Sequence, residues 1–128
     1  IDRIIDVFPS DDKEMVRAML SVSLEGVIAQ TLVKRADGKG RVAAHEIMLG
    51  TPAIRNLIRE AKVPQITSMI QMGSKVGMCL MRDSLNKLYE AGEISSETLR
   101  EMLVSGAQTE EESSAGIGGV KRVANSSF

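Results

Sequence analysis

Three short motifs in this 128-residue sequence contain residue types that could do chemistry: a glycine-rich loop, a His-Glu pair and a lone cysteine. Gly38-Lys39-Gly40 resembles part of a phosphate-binding loop. Such a loop needs a glycine five residues before its Gly-Lys step and a Ser or Thr after the lysine. Val33 and Gly40 stand at those two positions. The glycines therefore predict a turn between two strands rather than a phosphate site.

The pair His45-Glu46 does not form the usual zinc motif, because the second histidine would fall at Leu49. One histidine and one cysteine in the whole sequence are too few for a zinc site of ordinary composition. We interpret His45 as a core residue whose ring is hydrogen-bonded. A relay from His45 toward a site elsewhere is the alternative. A single cysteine, Cys79, excludes an internal disulfide and is typical of a reducing compartment.

A helix predicted over residues 52–62 carries more information. Thr51-Pro52 is a strong helix start, with Thr as the cap and Pro at the first helical position. The inner face of this helix contains four apolar residues: Ile54, Leu57, Ile58 and Ala61. The outer face is predicted to expose three cations at helical spacing: Arg55, Arg59 and Lys62. Like charges one turn apart destabilise a helix by a few tenths of a kcal/mol. The stripe is therefore either a solvated face or a docking surface for an acidic partner.

The surrounding sequence reads as one hairpin and about six helices. The hairpin covers residues 27–49, and its second strand is apolar on both alternations, which predicts a larger sheet covered on both faces. Asp11 and Glu14 have the spacing of a capping box. Further helices are predicted near residues 1–8, 11–26, 64–73, 77–91 and 95–104. The helix at 77–91 is expected to bury Met78, Met81, Leu85, Leu88 and Tyr89. We expect a disordered tail over residues 105–128, where the periodicity fails.

Composition limits the function classes. Sixteen basic residues balance 17 acidic ones, and only 2% of the chain is aromatic. Neither a basic surface nor an aromatic platform for nucleic acid is indicated, so we expect no nucleic-acid partner. No apolar run reaches the ~18 residues of a membrane span, so direct membrane insertion is not expected. The chain opens on Ile1 inside an apparent helix, and we therefore expect a fragment of a longer protein.

One eight-residue segment resembles a known signature along its whole length. It matches, letter for letter, the octapeptide of the type IV pilus retraction ATPases, the PilT family: Ala53-Ile54-Arg55-Asn56-Leu57-Ile58-Arg59-Glu60. The segments at 1–9, 15–20, 30–32, 40–48 and 50–52 also resemble that family, so the resemblance covers about residues 1–104.

This resemblance implies the C-terminal part of a RecA-like P-loop ATPase domain, with the hairpin followed by a helical subdomain at 51–104. It implies a homo-hexamer that uses ATP and Mg²⁺ to retract pili in twitching motility. The family's Walker A and Walker B motifs precede the segment that Ile1 begins. This fragment is therefore expected to contain no catalytic, nucleotide-binding or metal residues, and to be inactive alone. The octapeptide is implied to act in retraction.

The resemblance also implies a cytoplasmic location at the pilus base, peripheral to the inner membrane, with a platform protein of that membrane as partner. Three alternatives stay open. Residues 88–95 also resemble the accessory PilU paralogue. The chain could instead come from another pilus or secretion ATPase, or the same helices could serve as a stand-alone docking module.

Overall fold

The computed structural model describes the backbone of residues 1–115 and the side chains of residues 1–106. Within that range the chain forms six α-helices and two strands, which confirms the predicted mostly helical α/β fold with one hairpin. The elements are α1 (Asp2–Asp6), α2 (Lys13–Ser23), β1 (Gly26–Lys34), β2 (Arg41–Leu49), α3 (Pro52–Arg59), α4 (Ile66–Met72), α5 (Met81–Glu90) and α6 (Ser96–Ala115). Short 3₁₀ turns at Val63–Gln65 and Ser74–Val76 flank α4.

The hairpin pairs β1 and β2 antiparallel, in a register that runs from Gly26 opposite Leu49 to Lys34 opposite Arg41. One face of the ribbon packs against the helices, where Val33 and Ala44 are buried. Coverage of both faces was expected. On the opposite face, however, Ile28 is 69% exposed and Leu32 53% exposed. Within the described residues the helices therefore pack on one face of the two-stranded sheet, and the larger sheet covered on both faces stays a prediction for the longer protein.

Two apolar clusters lie beneath the hairpin, and β2 contributes to both. The larger cluster joins the end of β2 to α3, α4 and the segment before α5: Met48, Ile54, Ile58, Ile66, Ile70, Met78 and Leu80. The smaller cluster joins the hairpin to α5 and the loop before α6: Val33, Ala44, Leu85 and Ile94. Strand β2 is therefore the common support on which the helices are placed.

Two of the predicted helix starts are confirmed and one is wrong. Thr51 Oγ1 accepts a hydrogen bond from the Ile54 amide at 3.4 Å. Ser95 Oγ accepts one from the Thr98 amide at 3.2 Å, which caps α6. The capping box assigned to Asp11 does not form. Helix α2 begins at Lys13, and the residue before it makes no side-chain cap bond.

The predicted helix over 77–91 begins four residues late. Gly77 has a φ of +100°, which ends the preceding turn instead of opening a helix. Cys79 and Ile47 then exchange two backbone hydrogen bonds, of 2.9 and 3.1 Å, so this segment lies against β2 as a bridge. Helix α5 starts at Met81, and Tyr89, which we expected to be inward, is 45% exposed.

The backbone of α6 is helical through Ala115. The helix therefore runs past its predicted end near residue 104, and the disorder predicted for residues 105–128 stays a prediction. Residues 116–128 lie outside the described residues. Within the described part of the chain, no helix has the length and hydropathy needed to cross a membrane.

Candidate functional site: the octapeptide helix

The octapeptide Ala53–Glu60 occupies α3 almost completely, and its apolar residues anchor it. Ile54 and Ile58 are fully buried in the larger cluster, and Leu57 packs against that cluster at its edge. Ala61, expected on the inner face, lies beyond the helix end with a φ of +59° and is exposed. The core of the molecule therefore fixes the position of α3 through two isoleucines one turn apart.

Arg55 does not face solvent as the stripe predicted. Its Nε donates to the Gly50 carbonyl at 2.7 Å. Its Nη1 donates to the Val22 carbonyl at 2.6 Å and to the Ser21 carbonyl at 3.1 Å. Only 22% of the side chain is exposed. The expectation of an outward Arg55 is therefore wrong, because α2 packs beside α3 and its last carbonyls take up the guanidinium.

This arrangement is favourable for physical reasons. The carbonyls at the C-terminal end of a helix lack intrahelical partners and carry partial negative charge, which a cation stabilises. Ser21 and Val22 lie in the last turn of α2. Arg55 therefore caps a helix that is more than 30 residues away along the chain. Arg55 also forms an ion pair with Glu25 at 3.3 Å. This pair contributes less, because Glu25 is 88% exposed and solvent screens the two charges.

Gly50 makes this close approach possible. Its amide donates to the Glu25 carbonyl at 2.8 Å, and its own carbonyl accepts from Arg55. A Cβ at this position would collide with the Leu24 carbonyl oxygen and would touch the guanidinium of Arg55. We refer to Arg55, Gly50 and the carbonyls of Ser21 and Val22 as the Arg55 clamp. The sequence pattern assigned no steric role to Gly50, which directly follows the predicted hairpin, so this role was missed.

Arg59 is the member of the stripe that stays outward. Its Nη1 donates to Asn56 Oδ1 at 3.1 Å, and the residue is exposed. Lys62 forms an exposed ion pair with Glu60, in which Nζ and Oε2 are 3.0 Å apart. The three predicted cations therefore lie in three different environments. Arg55 points inward into the clamp, Arg59 points outward and donates to a side-chain amide, and Lys62 is paired with a carboxylate.

The other singled-out motifs have ordinary structural roles. Residues 35–40 form the turn between the strands, as predicted, with Gly38 at a φ of +70°. His45 lies opposite Gln30, and its Nε2 is 3.1 Å from Gln30 Oε1, so the ring is hydrogen-bonded as predicted. Its assignment to the core is wrong, because the residue is only half-buried and lies on the face of the hairpin opposite the helices. The Cys79 thiol donates to the His45 carbonyl at 3.4 Å. Among the described side chains, no group of three potential metal ligands comes together.

One capping contact was not anticipated. The Met81 amide at the start of α5 donates to Glu46 Oε2 at 2.9 Å. A carboxylate at a helix N-terminus is favoured by the helix dipole, so Glu46 fixes α5 on the covered face of the sheet. The sequence contained a weak signal for this: Glu46 stands at an inward alternation of β2, where an unpaired charge would be unfavourable.

Comparison with known proteins identifies relatives of this chain. No protein-family model matches the chain. The type IV pilus retraction ATPase PilT of Pseudomonas aeruginosa is 59% identical over 101 residues, which make up 79% of this chain and 29% of that protein. The chain belongs to the PilT family. A twitching motility protein of Neisseria gonorrhoeae is 55% identical over 100 residues, 78% of this chain and 27% of that protein.

The solved structures agree with the PilT assignment. A crystal structure of the pilus retraction motor PilT with bound ADP matches 78% of this chain with a TM-score of 0.68 at 43% identity. The ATPase DotB of Legionella pneumophila matches 81% with a TM-score of 0.65, but at 20% identity it supports the fold alone. The chain spans 27% and 28% of those two structures. The predicted fold class is therefore confirmed for the part of the family that this chain covers.

Proposed function

We propose that the chain is the C-terminal part of a hexameric ATPase that powers type IV pilus retraction in twitching motility. The observation that carries the proposal is the octapeptide Ala53–Glu60, which has a complete match to the signature of retraction ATPases and lies on one helix. The identity of 59% to PilT of P. aeruginosa supports it. The chain spans less than a third of that relative, so the motor activity is a proposal for the longer protein.

ATP and Mg²⁺ are proposed to bind outside this segment. The glycine-rich loop closest to a phosphate motif is the hairpin turn, in which Gly40 occupies the position where a P-loop needs Ser or Thr. A phosphate site also needs a nest of backbone amides at a helix N-terminus, and β2 follows this turn instead. We therefore expect the fragment alone to neither bind nor hydrolyse ATP.

The retraction role is assigned to the outward side of α3. Ile54 and Ile58 are buried in the core, and the guanidinium of Arg55 is hydrogen-bonded in the clamp. Arg59, exposed and held toward Asn56, is left as the cation that a partner could meet. An acidic surface on the inner-membrane platform of the pilus is the partner that fits this charge. This location would place the hexamer in the cytoplasm, at the pilus base.

The retraction ATPase is favoured over the accessory paralogue by one comparison. PilU of P. aeruginosa is 38% identical over 97 residues, against 59% over 101 residues for PilT of the same organism. The unchanged octapeptide supports the same choice. The resemblance of residues 88–95 to PilU is local and lies outside α3.

Complementation tests the proposal. The full-length protein that contains this chain would be expressed in P. aeruginosa strains that lack either PilT or PilU, and twitching would be measured on agar. We expect twitching to return in the strain without PilT. Rescue of the strain without PilU alone would favour the accessory role, and rescue of neither strain would contradict the proposal.

A further inference from the structure

The tip of the hairpin, residues 34–41, concentrates positive charge. It contains four cations and one carboxylate: Lys34, Arg35, Lys39, Arg41 and Asp37. All eight residues of the tip are exposed. The chain as a whole has a net charge of −1, so this cluster is a local feature and not part of a generally basic surface.

The tip is held in one conformation by hydrogen bonds. The Arg35 amide donates to the Gly40 carbonyl, and the Gly38 amide donates to the Arg35 carbonyl, both at 3.1 Å. The Ala36 amide donates at 2.8 Å to the carbonyl of Glu93, in the loop before α6. The cations are therefore presented on a fixed ribbon end that is tied to the helical part of the molecule.

The charge arrangement does not stabilise the hairpin. Lys34 and Arg41 are directly opposite each other in the last pair of the ladder, where like charges are unfavourable. Arg35 is paired with Asp37 at 3.1 Å. None of the other three cations of the tip takes part in an ion pair with the residues that the structure describes. The folded chain alone gives no reason for this concentration of charge.

We propose that the hairpin tip binds the surface of a bilayer rich in anionic phospholipid, without insertion. Clusters of four or more Lys and Arg residues are attracted to anionic headgroups, and this attraction requires no shaped pocket. The uncharged residues of the tip are Ala36, Gly38 and Gly40, so no large apolar side chain is available to enter the hydrocarbon. The tip also has no aromatic residue, and aromatic side chains are among the main anchors of protein interfaces, so a bilayer surface is favoured over an acidic protein.

Vesicle partitioning tests the proposal. The full chain would be mixed with vesicles of phosphatidylcholine alone or with about a third phosphatidylglycerol, and bound protein would be measured by sedimentation. The test variant carries Lys34→Gln, Lys39→Gln and Arg41→Gln, which leaves the Arg35–Asp37 pair intact. The matched control removes three exposed cations elsewhere, through Lys75→Gln, Lys87→Gln and Arg100→Gln.

We expect binding to the anionic vesicles alone, weakened by added salt because screening shortens the range of the attraction. The tip variant should partition on the order of 100-fold more weakly, since each cation near such a surface contributes about fivefold. The control should change much less. The proposal is overturned by absence of vesicle binding, by equal loss in both variants, or by binding to an acidic polypeptide or nucleic acid but not to vesicles.

Discussion

The guanidinium of Arg55 and the carbonyl of Val22 are 2.6 Å apart, which ties the octapeptide helix α3 to the last turn of α2. This contact divides the motif by role. Arg55 stabilises the packing of two helices, whereas Arg59, one turn later, points to solvent. The same positive charge therefore stabilises the fold at Arg55 and lies at the exposed surface at Arg59.

Replacement of Arg55 should destabilise the fold far more than the same change at Arg59. Arg55→Gln leaves the carbonyls of Ser21, Val22 and Gly50 with fewer donors, and we expect a loss of about 2–4 kcal/mol in the free energy of unfolding. Arg59→Gln is the matched control and should change it by less than about 0.5 kcal/mol. Urea unfolding measures both. Equal effects would show that the clamp contributes nothing.

Gly50 should tolerate no side chain. A Cβ there would collide with the Leu24 carbonyl and force the clamp apart, so Gly50→Ala should cost about 2 kcal/mol or more. Gly106→Ala serves as the control, since a Cβ at that helical glycine has no atom within 4 Å. We expect the control to be neutral or stabilising by up to about 1 kcal/mol. Thermal unfolding measures both variants, and equal melting temperatures for Gly50→Ala and Gly106→Ala would show that Gly50 has no steric role.

Substitutions on the inner face of α3 should destabilise the fold more when the replaced side chain is more deeply buried. Ile58 is fully buried, and Ile58→Ala should cost about 3–5 kcal/mol through lost contacts and the cavity left behind. Leu57 lies at the cluster edge, so Leu57→Ala should cost less, about 1–2 kcal/mol. Denaturant midpoints of the two variants test the order. A larger loss for Leu57→Ala would show that the edge position is more tightly packed than its exposure indicates.

Asp37 at the hairpin tip provides a pH-dependent test. The Lys39 amide, and then the Arg35 guanidinium, hold the pKa of its carboxyl below the ordinary value of 3.8. The carboxylate therefore contributes stability that is present above that ordinary pKa and is lost as pH falls through the folded-state pKa. NMR titration should give a pKa below 3.8, and Arg35→Gln should raise it only in part. An Asp37 pKa at or above 3.8 in the unmodified chain would rule out the turn hydrogen bonds.

The sequence predicted local features well where one residue type determines the geometry. Thr51-Pro52 and Ser95 start helices because their caps depend only on near neighbours. The turn predicted at Gly38-Lys39-Gly40 follows in the same way from the left-handed backbone at Gly38 and Gly40. The octapeptide also identified the family directly, because eight matching residues carry more information than any periodicity.

The errors arose where a distant segment decides the outcome. Arg55 has the spacing of an exposed stripe, but α2 lies beside it and offers carbonyls that the sequence does not place. Cys79 lies in an apparently helical pattern, yet its backbone pairs with Ile47 of β2. In both places a tertiary partner supplies hydrogen bonds that the local pattern cannot show.

The proposed role of the outward side of α3 is in retraction and not at the ATP site. It is tested most directly by Arg59→Glu in the full-length protein, with twitching in cells and the ATP hydrolysis rate in vitro measured on the same variant. Arg100→Glu on α6 is the matched charge reversal. We predict that Arg59→Glu abolishes twitching and leaves hydrolysis unchanged, while the control retains both. Normal twitching with Arg59→Glu, or a parallel loss of hydrolysis, would contradict the claim.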